Sequence, residues 1–126
     1  MLFGVGIDII EVSRIEKEVS NGSSGFKEKI FTDAEIAYCN RKVNAQSYAA
    51  RFAAKEAFFK ATGKGWRDGF KWTDIEVLND GMGRPYIRTF GETKNFIDEN
   101  EISNIQVSLS HTKENAMAIV ILEKNK

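Results

Sequence analysis

Arg51-Phe52-Ala53-Ala54-Lys55-Glu56-Ala57-Phe58-Phe59-Lys60-Ala61-Thr62-Gly63-Lys64-Gly65 is the stretch around which the chain is organised. At helical spacing Ala50, Ala53, Ala54, Ala57 and Ala61 make a stripe with almost no side-chain bulk, so another backbone can approach closely. Phe52, Glu56, Lys60 and Gly63 fall on a neighbouring stripe, because residues four apart stand above one another. Taken alone, Glu56 and Lys60 read as a surface ion pair supporting the helix by about 0.2–0.5 kcal/mol. A functional reading needs partners from elsewhere in the chain.

The 126 residues fit one domain, 1–126, large enough to bury a core without metal or disulfide staples. Hydrophobic residues at 42% and charged residues at 29% are ordinary for a globular protein and exclude a disordered chain. Eighteen basic and eighteen acidic residues balance, so no overall field argues for nucleic acid or an anionic membrane, and recognition of charge must come from local patches. The lone Cys39 cannot form an intrachain disulfide and is expected as a packed thiol in a reducing, cytoplasmic setting. The apolar start Met1–Ile10 contains Asp8, lacks a basic flank and is too short to span a bilayer.

Phe3, Val5, Ile7 and Ile9 alternate with Gly4, Gly6 and Asp8, which predicts a strand with one bulky face and one nearly bare face ending in a carboxylate. Asp8 either caps the following turn or serves a ligand, and the two glycines beside it leave room for a close backbone or ligand. Val12, Ile15 and Val19 predict a short amphipathic helix over Glu11–Ser20, followed by the breaker loop 21–25. Thr32-Asp33-Ala34-Glu35 is a capping box opening a helix to about Arg41. The central helix runs from about Ala45 to Thr62 and stops at Gly63.

Strands around Ile75–Val77 and over Tyr86–Phe90 flank the turn residues Asn79–Pro85 and form a hairpin with an enlarged loop. Gly91–Ile102 reads as helical. Ile105–Ser110 and Ala116–Leu122 form a second hairpin about a turn at His111–Asn115, and the last strand, apolar on both faces, belongs in the middle of the sheet. This order predicts an α+β fold with a mainly antiparallel sheet packed by the long central helix.

The residues available for chemistry are Asp8, Glu56, Lys60, a cationic glycine loop and the only histidine, His111. No Walker loop, nucleophile elbow or zinc spacing occurs, so if these groups converge their natural chemistry is metal-assisted phosphoryl transfer. Gly6–Ile15, Phe31-Thr32, Arg51–Ala57 with Lys60, Trp72–Val77, Gly83-Arg84-Pro85 and Val107–Thr112 stand in one order along the chain. In these pieces the sequence resembles the holo-acyl-carrier-protein synthases, which are 4′-phosphopantetheinyl transferases, over most of its length.

The resemblance implies the 4′-phosphopantetheinyl transferase fold and transfer of phosphopantetheine from coenzyme A to a serine of an acyl carrier protein, in fatty acid biosynthesis. It implies Asp8 and Glu56 as ligands of Mg²⁺ and Lys60 as a cation at the phosphates, which suits an ion that takes one or two carboxylates together with phosphate oxygens. Gly63, Gly65, Gly83, Arg84, Pro85, Ser110, His111 and Thr112 are implied to line the coenzyme pocket, with His111 positioning phosphate or pantetheine. Arg14 and Lys17, with Lys27 and Lys29, are candidates for docking an acidic carrier. The family also implies a homotrimer with sites at subunit interfaces. Two departures stand out: Thr62-Gly63-Lys64-Gly65 carries Thr62 and Lys64 where the family has a bulky apolar residue and threonine, and Arg84 replaces a frequent lysine. A non-catalytic coenzyme-binding module, or an interaction protein assembled through the alanine face, are the alternatives from other classes.

Overall fold

A three-stranded antiparallel sheet carries one long helix across its inner face, and the close fit between the two sets the geometry of everything else. The computed structural model describes residues 1–42 and 44–125. In chain order the elements are β1 (Leu2–Glu11), α1 (Val12–Ser20), α2 (Phe26–Ile30), α3 (Asp33–Asn40), α4 (Gln46–Thr62), β2 (Ile75–Asn79), β3 (Pro85–Thr89), α5 (Gly91–Glu99), β4 (Ile102–His111) and β5 (Asn115–Lys124). Single 3₁₀ turns occupy Trp66–Asp68 and Trp72–Asp74.

The larger sheet has the order β1-β5-β4, all antiparallel, and β2-β3 forms a separate hairpin. The strand that is apolar on both faces, β5, is therefore central, as its sequence predicts. Ala116, Ala118, Val120 and Leu122 of β5 are buried under α4. The opposite rows, Val5, Ile7 and Ile9 of β1 with Met117 of β5, are exposed on the outer face. The row Val5, Ile7 and Ile9 of the first strand is thus turned away from the helix, whereas Phe3, at the irregularity between Leu2 and Gly4, packs against the core, and the bare face receives the helix.

That contact explains the glycines. A Cβ at Gly6 would stand 1.8 Å from the carbonyl oxygen of Ala57, and one at Gly4 would stand 2.0 Å from that of Ala61. Backbone of α4 therefore lies directly on backbone of β1, which only glycine facing alanine permits. The alanine stripe serves packing within the chain.

The other side of α4 is covered as well, by α1 to α3 and by β2, so the helix is buried nearly all round. Burial on two sides requires its polar residues to find partners. Arg51 Nε donates to the Val77 carbonyl at 3.2 Å and Lys55 pairs with Glu35 at 2.7 Å, both side chains fully buried. The capping box is present: the Glu35 amide donates to Thr32 Oγ1, while Glu35 Oε1 accepts from the Thr32 amide. Several boundaries differ from the sequence expectation, Glu11 closing β1 instead of opening α1 among them. The segment after the breaker loop forms the short helix α2, too brief for a hydrophobic period to reveal, and Ile102 opens β4 instead of closing α5. His111 also lies on the strand and not in the turn.

Candidate active site

Asp8 follows Gly4 and Gly6 on the helix-facing side of β1, and Glu56 and Lys60 project from α4 toward the free edge of that strand. The close backbone contact brings them together. Lys60 Nζ donates to Asp8 Oδ1 at 3.1 Å and to the carbonyl of Ile7 at 3.0 Å. The lysine thus pairs across elements with Asp8, and the expected Glu56–Lys60 helix pair is not among the ion pairs of the described residues.

Glu56 is half-buried and accepts no hydrogen bond among the described residues. Its carboxyl is pushed above the usual range, first by loss of solvent and then by the negative charge of Asp8, while Lys60 and Arg14 pull it back. Two carboxylates that repel each other, one without a donor, are a donor set suited to a hard divalent cation. Among the described residues no third His, Cys, Asp or Glu joins them, so a cation held here would complete its shell with water and substrate oxygens.

Arg14 of α1 and Glu56 border one cavity of about 670 Å³. Phe26, Phe52, Phe70 and Trp72 supply its aromatic wall, with Lys29 and Lys71 among the lining residues and Glu28 as an opposing charge. Phe52 and Trp72 stack with ring centres 5.3 Å apart. Phe52 and Trp72 fall within separate sequence motifs, and only the packing of the Trp72 turn on α4 joins them into one wall. Lys17, one turn beyond Arg14, is exposed on α1. Gly63 ends α4 in the left-handed conformation at φ 76°, and Gly65 accepts the hydrogen-bonded turn that follows, its amide donating to Asp68 Oδ2 at 2.9 Å.

The remaining candidates lie on the other edge of the sheet. β4 is separated from β1 by β5, and the register puts Asp8 and Leu109 on opposite sides of Ala118, on the order of 10 Å apart across the two strand spacings. His111 is one row further, beside Ala116. Ser110, His111 and Thr112 share a small cavity of about 190 Å³ with Ile9 and Met117, and Gly83, Arg84 and Pro85 share another of about 440 Å³ with Ser108, Ile119 and Ile121. Within one chain the candidates therefore form two groups. Asp8, Glu56, Lys60 and Arg14 flank β1, while Gly83–Pro85 and Ser110–Thr112 flank β4, with the exposed apolar face between.

The chain matches the family model of the 4′-phosphopantetheinyl transferase superfamily over residues 4–120. It is similar to the holo-[acyl-carrier-protein] synthase of Ruminiclostridium cellulolyticum, 48% identical over 120 residues, covering 94% of this chain and 90% of that one. Among solved structures it is similar to a holo-(acyl-carrier-protein) synthase from Bacillus anthracis in complex with CoA (3′,5′-ADP), with TM-score 0.82, 38% identity and coverage of 99% of each chain. It is also similar to holo-[acyl-carrier-protein] synthase from Neisseria meningitidis, with TM-score 0.88, 30% identity and coverage of 98% of this chain and 100% of that one. Fold, motif order and full-length similarity agree, and the chain belongs to the 4′-phosphopantetheinyl transferase superfamily.

Proposed function

We propose that the chain, acting as one transferase domain, moves 4′-phosphopantetheine from coenzyme A to a serine hydroxyl of an apo-acyl carrier protein in the cytoplasm, supplying fatty acid biosynthesis. The observation that carries the reading is the meeting of Asp8, Glu56 and Lys60 at the edge of β1, next to a cavity bordered by Arg14. In the reaction the serine oxygen bonds to the pantetheine-side phosphorus of the pyrophosphate and loses its proton. The bond from that phosphorus to the bridging oxygen breaks, and adenosine 3′,5′-bisphosphate leaves with the electron pair.

The chemistry asked of the protein is positioning and charge compensation. Asp8 and Glu56 would hold Mg²⁺, which supplies positive charge at the pyrophosphate. Lys60, tethered by the Ile7 carbonyl and Asp8, places a second cation at the same edge. Arg14, Lys17 and Lys29 face the acidic carrier, and the aromatic wall receives apolar side chains next to its serine. Lys64 adds charge beside the glycine turn.

The second group, Gly83, Arg84, Pro85, Ser110, His111 and Thr112, lies across β5 from Asp8, and in this reading it serves the site of a neighbouring subunit. The exposed rows Val5, Ile7, Ile9 and Met117 lie between the two groups. Burying those rows against a second copy would bring the β1 edge of one subunit to the β4 side of the next. A heterologous contact whose rotation closes makes a ring, and a homotrimer with coenzyme sites at each interface is the assembly we propose.

Incubation with coenzyme A, Mg²⁺ and apo-acyl carrier protein is expected to add the mass of phosphopantetheine to the carrier. Failure of that gain with several bacterial carriers at high enzyme concentration refutes the assignment. The shared site has its own test: Glu56→Gln and His111→Ala are each expected to be inactive, and co-refolding them is expected to restore roughly a quarter of the sites. No recovery, with both variants present in mixed oligomers, would place each site within one subunit.

A further inference from the structure

Lys55, the residue before Glu56, is the most deeply buried cation of α4. Its three N–H donors are all used: to Glu35 Oε1 at 2.7 Å, to the Ile30 carbonyl at 2.7 Å and to the Trp72 carbonyl at 3.0 Å. Glu35 is equally buried and equally occupied. Its Oε1 also accepts from the Thr32 amide at 2.9 Å, and its Oε2 accepts from the Val77 amide at 2.8 Å. One ion pair thus ties the end of α2, the start of α3, the 3₁₀ turn at Trp72 and strand β2 to the middle of α4.

Stability alone is a weak reason for such a pair. Removing two charges from water costs about what their attraction returns, and well-packed apolar replacements are often neutral or better. What an apolar pair cannot do is hold two carbonyls at fixed positions. Both carbonyls belong to residues that line the aromatic cavity, Ile30 at the end of α2 and Trp72 in the 3₁₀ turn before β2. Trp72 is also the ring stacked on Phe52, one helical turn before Glu56.

We infer that Lys55, with Glu35, is a positioning residue for the carrier-protein side of the site, setting the separation of the Ile30 and Trp72 walls beside Glu56. This rests on reading that cavity as the place where the carrier docks. The pair acts through those two segments and touches neither the phosphates nor the serine.

The test uses the full-length enzyme with coenzyme A, Mg²⁺ and apo-acyl carrier protein. Lys55→Met/Glu35→Gln removes both charges together, leaving no buried unpaired ion, while Lys29→Glu, at an exposed position on the cavity rim, tests the docking reading independently. In the double variant KM for the carrier is expected to rise at least about tenfold, with KM for coenzyme A within twofold and kcat within threefold, a split that general loosening of the fold does not produce. Lys29→Glu is expected to raise the carrier KM as well. If Lys29→Glu raises it and the double variant does not, the cavity reading stands and the role given to Lys55 is overturned. If neither moves it, the cavity reading falls, and the inference with it. A double variant without a cooperative unfolding transition makes the pair a requirement of folding and likewise overturns the positioning role.

Discussion

Gly6→Ala adds a single methyl group at the place where helix and strand are closest. The new Cβ would meet the Ala57 carbonyl oxygen at 1.8 Å, and the Ala57 carbonyl carbon and Ala61 amide nitrogen at 2.8 Å. Ordinary contact between carbon and another heavy atom begins near about 3.5 Å, so the backbones must part by roughly 1.5 Å. No rotamer change relieves the clash, because every atom met is main chain. Overpacking of a core costs about 1–3 kcal/mol when side chains can shift, and a backbone clash belongs at or above the upper end. For a chain of this size a loss of about 3 kcal/mol lowers Tm by on the order of 10 °C. The same displacement draws Glu56 and Lys60 away from Asp8, and a misplacement of about 1 Å can cost roughly a hundredfold in rate. Gly22→Ala, with nothing within 4 Å of its new Cβ, is the control. Thermal unfolding and the carrier mass assay read both effects. A Gly6→Ala enzyme with unchanged Tm and full activity would refute the claim that this backbone contact sets the site.

Other perturbations separate the remaining roles. Glu56 titrates above its ordinary value in the folded chain, so protonated Glu56 favours the fold below that ordinary value, and the benefit is lost as pH rises through the shifted one. Without metal at pH 8, Glu56→Gln is therefore expected to match or exceed the wild-type Tm while abolishing transfer; a clear drop in Tm contradicts the sign of the shift. Because a metal needs the carboxylate form, the Mg²⁺ concentration for half-maximal transfer is expected to rise as pH falls toward that value, and a pH-independent requirement counts against Glu56 as ligand. Ile7→Lys, on the exposed sheet face, is expected to leave the chain folded but monomeric by light scattering, with transfer reduced at least about tenfold. Cys39, 2% exposed and with its thiol raised to about 11 by burial, is expected to resist a thiol reagent at pH 8 until the protein unfolds.

Burial all round α4 makes the two kinds of polar residue on it behave differently. Arg51 and Lys55 face covered segments and are fully matched by carbonyls and carboxylates. Glu56 and Lys60 lie toward the open edge of β1, where one carboxylate accepts nothing and one ammonium is largely exposed. Unused capacity at the edge and full satisfaction in the interior divide the proposed chemistry from the scaffold along a single helix.

The alternation of glycines with bulky residues in β1, the alanine spacing in α4 and the doubly apolar β5 were enough to predict the α+β class and the central strand, because each is a local periodicity that burial imposes. The motifs carried the family. What the sequence could not show was which groups meet. Glu56 and Lys60 stand four apart and look like a pair, yet Lys60 reaches Asp8, because the Gly6–Ala57 contact puts β1 within its length. Asp8 and His111 look like parts of one pocket, yet two strand spacings separate them, because the register places β5 between their strands. Lys55 stands beside Glu56 in the sequence, yet its partners are brought to it only where α2, α3 and the Trp72 turn close over α4. Periodicity along the chain records how much of each residue is buried. The partners it is buried against depend on contacts between residues far apart in sequence, and those only the tertiary structure decided.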